Sequence, residues 1–166
     1  MSIRSMIEAE AIIQGVPISI ALAVAEQESQ FNQNAVGSSG EIGVFQLMPG
    51  TAAGLGVNPY DLSENINGGI RYLAEQFNKF GNWDEALAAY NAGPGNVTRN
   101  TIPASTRNYV SQVFNLMENY LTQTTSVDMT PTFSVDVFDT VSTNFLLLAA
   151  IGLGIGSVLF MTVKDR

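Results

Sequence analysis

Between Pro17 and Gln30 lies a stretch, Ile18 to Ser29, long enough for three helical turns and apolar almost all the way round: Ile18, Ile20, Ala21, Leu22, Ala23, Val24 and Ala25 precede the first charge, Glu26. Pro17 stands where a first helical turn tolerates proline. A helix with hydrocarbon on every side cannot leave a face in water, so it belongs in the centre of a core, enclosed by other elements. The rest of the chain up to about residue 121 supplies such elements. Met1 to Gly15 has Ile3, Met6, Ile7, Ile12 and Ile13 spaced for a buried face. Asn32 to Glu41, rich in Asn, Ser and Gly, reads as a loop, Pro49 opens a short helix through Ala53, and Asn58-Pro59 marks a turn. Ser63 with Glu64 caps a helix to about Phe80 whose stripe is Ile66, Ile70, Leu73 and Phe77, and Gly81-Asn82 ends it. Trp83 to Asn91 is a further helix, stopped by Gly93-Pro94-Gly95, and Ser105 to about Leu121 is the last, with Tyr109, Val113, Leu116 and Tyr120 in helical register. The expected fold class is mainly α, one domain over residues 1–121.

Composition then changes. Residues 122–143 are dominated by Thr, Ser and Asp and read as a linker. Residues 144–163 read as a transmembrane helix: Phe145 to Val163 carries no charge over 19 residues, and at ~1.5 Å per residue it spans roughly 28 Å, the thickness of a bilayer core. Gly152 and Gly156 form a small-xxx-small pair that would let a second copy or another membrane protein approach closely, although glycine is also common in such helices. Residues 164–166 are a short charged tail.

Which chemistries are open follows from two zeros. The sequence contains neither Cys nor His, which removes thiolate and imidazole nucleophiles, His general bases, and metal sites built on either group. No metal and no cofactor is expected. Acid–base work falls to carboxylates. A net charge of −8 argues against a nucleic-acid partner.

Among the carboxylates, Glu28 stands out. It continues the row Ala21, Ala25 at the end of the apolar helix, while Glu26 lies about 200° round the axis, so only one of the two can face a given cleft. Apolar neighbours and the negative end of the helix dipole both disfavour an ionised Glu28, which makes it a proton donor near neutral pH. Taken alone, it reads first as a surface Glu at a helix end.

The neighbouring segments change that balance. In order they are Glu28-Ser29, then Gly43-Val44-Phe45-Gln46-Leu47-Met48-Pro49-Gly50-Thr51-Ala52, then Ala89-Tyr90-Asn91-Ala92-Gly93, then Thr106-Arg107-Asn108-Tyr109-Val110. This set resembles the lysozyme-like domain of the soluble lytic transglycosylase family over about residues 10–121. The resemblance implies a peptidoglycan lytic transglycosylase with Glu28 as catalytic acid/base. It also implies that Gln46 and Met48 line the saccharide cleft, and that Tyr90 with Asn91 completes the site. Ser29 and Tyr109 are further substrate-binding candidates, although core packing accounts for Met48 and Tyr109 nearly as well. Two positions depart from the pattern. The family usually has Ser nine residues after its catalytic Glu, where this chain has Gly37, with Ser38 as the substitute candidate. It also commonly has Glu before the Thr-Arg pair, where this chain has Ser105.

Glycoside hydrolysis ordinarily employs two carboxylates. The resemblance implies a reaction needing one, in which the substrate's own C6 hydroxyl closes onto C1 to leave 1,6-anhydro-MurNAc. The alternatives are a hydrolytic muramidase, with Glu41 in the loop facing Gln46 as its second carboxylate, and a structural membrane protein with an inactive domain. The expected partners are glycan strands and, through residues 145–163, a lipid membrane. The N-terminal residues, with Glu8 and Glu10, do not read as a secretory signal. The expected location is therefore a membrane reached by a single C-terminal anchor, with a phage virion delivering the enzyme to the wall during host penetration.

Overall fold

A computed structural model describes residues 1–98 and 100–125. Their helices follow in the order α1 (Ile3–Gln14), α2 (Ile18–Ser29), α3 (Pro49–Leu55), α4 (Leu62–Phe80), α5 (Trp83–Ala92), α6 (Pro94–Thr98) and α7 (Ala104–Thr125). The apolar helix is indeed central. α2 packs against α1 and α7, α4 against α1 and α5, and α5 against α6 and α7. Ile20 to Ala25 are all buried, and each large side chain removed from water there contributes about 1.5–3 kcal/mol.

Local chemistry sets the boundaries. The Ser2 hydroxyl accepts from Ser5 N at 3.1 Å to start α1, and Gly15, with φ 70°, ends it in the left-handed conformation that glycine adopts without steric cost. The cap of α4 is Asp61, whose carboxylate accepts from Glu64 N at 2.9 Å, and not Ser63. Aspartate and serine are equivalent caps by propensity, and the turn after Asn58-Pro59 presents the aspartate first. α1 also corrects the expected buried face. Ile7 and Ala11 are buried with Ile3 and Met6 packed beside them, whereas Ile12 and Ile13 are 69% and 76% exposed. Residues 3, 7 and 11 share one row, and positions 12 and 13 rotate about 100° and 200° away from it. α6 escapes a reading based on hydrophobic period because five residues carry none. α7 runs to Thr125, past Leu121.

Residues 30–48 form a folded loop between α2 and α3, braced by antiparallel bridges Val36 to Ile42 and Ile42 to Leu47. Asn65, on the buried face of α4, holds it. Its Oδ1 accepts from Phe45 N at 2.9 Å, and its Nδ2 donates to Ile42 O at 2.8 Å and Pro59 O at 2.9 Å. Phe45 is fully buried over Gly69 of α4, where any side chain would run into its ring.

Residues 122–125 of the expected linker belong to α7; its remainder from residue 126 onward, the expected span 144–163 with Gly152 and Gly156, and the tail 164–166 lie outside the described residues. Among the described residues no helix is long and apolar enough to cross a membrane.

Candidate active site

Glu28 and Glu26 leave α2 in different directions, as their angular separation requires. The Tyr120 hydroxyl of α7 donates to Glu26, while the Tyr109 hydroxyl, also from α7, donates to Glu28 Oε1 at 2.7 Å. Tyr109 is itself buried. Desolvation pushes the Glu28 carboxyl up from 4.5 to about 7, since a charge in an apolar setting loses its hydration. The Tyr109 hydrogen bond pulls the other way, and the charge of Glu41 adds to the rise. Tyr90 and Tyr109 are both held well above the ordinary tyrosine range, by burial first and by the facing Glu28 second. Both phenols therefore act as hydrogen-bond donors near neutral pH.

An open cleft of about 260 Å³ has walls that include Gln46, Met48, Thr51, Tyr72, Tyr90 and Asn91, and its link to the carboxyl is Tyr90, whose phenol feels the charge of Glu28. The 30–48 loop, α3, α4 and α5 shape the cleft. The 30–48 loop contributes Gln46, whose backbone has φ 45°. That strain is held by its side-chain Nε2, which donates to Gly43 O at 2.8 Å and Ala35 O at 3.1 Å. α5 contributes Tyr90, whose hydroxyl donates to Phe45 O at 2.7 Å, so the loop is pinned from α5 as well as from Asn65. Asn91 Oδ1 accepts from Thr106 Oγ1 at 2.8 Å, tying the end of α5 to the start of α7, the helix that carries Tyr109. Met48, directly before α3, is 43% exposed on the cleft wall.

Four of the sequence candidates thus share the cleft, Gln46, Met48, Tyr90 and Asn91, and Tyr109 meets Glu28 directly. Ser29 does something else. Its hydroxyl donates to Val44 O at 2.8 Å and accepts from Asn32 N at 3.1 Å, stitching the end of α2 to the loop. Ser38 is exposed on the turn between Val36 and Ile42. Tyr72 and Asn65 were not legible as site residues. Tyr72 lies one position before the buried Leu73, off the apolar stripe of α4. Its ring tilts against that of Tyr90, with centroids 5.4 Å apart.

Fold and site together define a class: a helical, lysozyme-like domain in which one partly buried carboxyl, protonatable near neutral pH, faces Tyr90, a wall of a polar cleft. The transglycosylase SLT domain model matches residues 5–111, and the chain belongs to that family. A transglycosylase of Enterobacteria phage PRD1 is 42% identical over 71 residues, 42% of this chain and 27% of the relative. The 70 kDa soluble lytic transglycosylase of Escherichia coli superposes with a TM-score of 0.67 at 31% identity, over 72% of this chain and 24% of that one. An inactive glutamate-to-glutamine mutant of lytic transglycosylase Slt from Pseudomonas aeruginosa gives 0.66 at 29% identity, over 74% and 24%. The chain therefore spans about a quarter of the length of these relatives.

Proposed function

We propose that the chain is a peptidoglycan lytic transglycosylase in which Glu28 serves as both acid and base. The observation that carries this reading is the Glu28 carboxyl, lifted to about 7 by burial and held by the Tyr109 hydroxyl. A carboxyl so poised is populated in both forms near neutral pH, as a group that must give and then take a proton needs to be. Protonated Glu28 donates to the bridging oxygen of the MurNAc-β-1,4-GlcNAc bond as that C1–O bond breaks. The resulting carboxylate takes the proton of the MurNAc C6 hydroxyl, whose oxygen bonds to C1. The product is a 1,6-anhydro end, no water is consumed, and Glu28 is again protonated. The cleft's part is orientation, keeping the C6 hydroxyl nearer to C1 than any water. Gln46, Met48, Tyr90 and Asn91 contact the sugar in this reading, and Ser29 and Tyr109 act by fixing the loop and the carboxyl. Digestion of purified sacculi tests it: wild type releases muropeptides lighter by one water than the hydrolytic products, and Glu28→Gln releases none. Products of hydrolytic mass would assign a muramidase instead, and a wild type without turnover would leave a structural domain.

The same reading takes residues 1–125 as the catalytic unit, 126–143 as a tether and 144–163 as a membrane anchor on a virion, so that the enzyme opens the wall locally during host penetration. The charge-free run of 145–163 and the phage relative support it. Fractionating purified particles with detergent checks this: activity travels with the membrane fraction. Activity confined to soluble late lysate, with none on particles, assigns a lysis role instead.

A further inference from the structure

Thr106 opens one of the segments that carry the family resemblance, yet the mechanism above gives it no part. It is 2% exposed in the first turn of α7, so the proton of its hydroxyl must find an acceptor inside the protein. The nearby backbone is already engaged. The carbonyls of Ile102 and Pro103 accept from Arg107, the first from Nη1 at 2.6 Å and the second from N at 3.1 Å. The hydroxyl donates instead to Asn91 Oδ1 at 2.8 Å. That bond decides which end of the Asn91 amide is spent. Asn91 is exposed and lines the cleft. With Oδ1 held by Thr106, its remaining end is Nδ2, whose N–H donors have no partner among the described residues. Turned over, the amide would set Nδ2 against the threonine oxygen and leave the hydroxyl proton buried without an acceptor, a cost that holds the amide as observed.

We propose that Thr106 is a positioning residue for substrate selection. By holding Asn91 Oδ1 it leaves the donor end of the amide to the cleft, which then takes the acetamido oxygen of an N-acetylhexosamine and rejects the ammonium of the same sugar without its acetyl group. The choice of an amino sugar rests on the transglycosylase reading given above. An acetamido carbonyl accepts from Nδ2, whereas an ammonium has donors only and would meet N–H groups head on. The long-range field works the other way. A chain of net charge −8 draws a cationic glycan towards itself, so a preference for the neutral, acetylated sugar has to arise at short range. No charged side chain lines the cleft among the described residues, and its hydroxyls, on Thr51, Tyr72 and Tyr90, suit donors and acceptors alike. Gln46, the other amide on the wall, spends Nε2 on Gly43 O and Ala35 O and turns Oε1 towards Gly37 within the loop. The orientation of Asn91 is thus what separates the two sugars.

Calorimetric binding of two soluble probes to the full chain tests this, with Glu28→Gln as the parent so that nothing is cleaved. The probes are tri-N-acetylchitotriose and the same trisaccharide without its acetyl groups, titrated below neutral pH, where its amines are charged. The acetylated probe should bind at least about tenfold more tightly. Thr106→Val keeps the shape and removes the hydroxyl, so the amide can turn, and the ratio of the two affinities should fall by about fivefold or more. Thr106→Ser keeps the hydroxyl and should keep the ratio. Asn91→Asp leaves an acceptor for Thr106 and presents a second acceptor to the cleft, so it should reverse the preference, and it decides the matter even where Thr106→Val does not fold. A Thr106 that only supports the fold would weaken both probes alike. An unchanged ratio in Thr106→Val therefore overturns the proposal, as does a ratio lost in Thr106→Ser, an Asn91→Asp chain that still prefers the acetylated probe, or a parent that binds both probes equally or neither. The ratio does not depend on turnover. A wild type that binds selectively but cleaves no sacculi defeats the transglycosylase reading alone, and one that cleaves them while the ratio stays unmoved defeats this inference alone.

Discussion

Replacing Glu28 with Gln should inactivate the enzyme and stabilise it, and the stabilisation should depend on pH in a defined direction. In the unfolded chain Glu28 ionises at its ordinary value of 4.5, and in the folded protein at about 7. As pH rises between those values the unfolded state has already released a proton that the folded state still holds, so wild-type stability falls with pH across the window. Below about pH 4 both states are protonated and the carboxyl costs nothing. Above about pH 7.5 both are ionised, and the folded state bears the full penalty, about 3 kcal/mol for a shift of that size. Gln is neutral throughout, and its Oε1 can still accept from the Tyr109 hydroxyl, which sits 2.7 Å from Glu28 Oε1 in the wild type. Urea unfolding of both proteins at pH 4 and pH 8 reads the effect. The stability difference in favour of Glu28→Gln should grow by about 2–3 kcal/mol between the two pH values, which is roughly 10 °C in melting temperature for a domain of this size. Sacculus cleavage at neutral pH should fall by at least about 100-fold, the usual contribution of a general acid. A stability difference that is the same at both pH values to within about 0.5 kcal/mol would mean that Glu28 titrates at its ordinary value, and the burial argument would fail with it.

Tyr109→Phe removes a hydrogen bond that favours the ionised Glu28. The alkaline limb of the pH–rate profile should therefore move to higher pH, and the domain should lose about 1 kcal/mol; a limb that stays or moves down refutes the role given to the hydroxyl. Asn65→Ala strands Phe45 N, Ile42 O and Pro59 O in the interior. It should cost about 2–4 kcal/mol in urea unfolding, and a loss under about 1 kcal/mol would show that the loop does not depend on that clamp.

Periodicity and punctuation were enough to place most of the helices, because those signals are local. Ile18–Ser29 begins after Pro17, α4 ends at Gly81, and α5 begins at Trp83 after the Asn82 cap. The separation of Glu26 from Glu28 was likewise legible, since helix geometry alone turns two such residues to different sides. What the sequence by itself determined was thus an apolar helix that must be enclosed, a chemistry restricted to carboxylates, and one glutamate at the end of that helix, joined to its family by the segments around Gln46, Tyr90 and Thr106. The tertiary structure decided everything that depends on which surfaces meet. Ile12 and Ile13 are as apolar as Ile7, yet they lie in solvent because α2 and α4 pack on the row of residues 3, 7 and 11. Asn65 looks like any polar residue of an amphipathic helix until the loop lies against it and hands it three backbone groups. Tyr109 could have been core alone, but α7 crosses α2 where its hydroxyl reaches Glu28. Hydrophobic period records the direction of a side chain from its own axis, whereas the partner it finds there depends on the other chain segments that arrive.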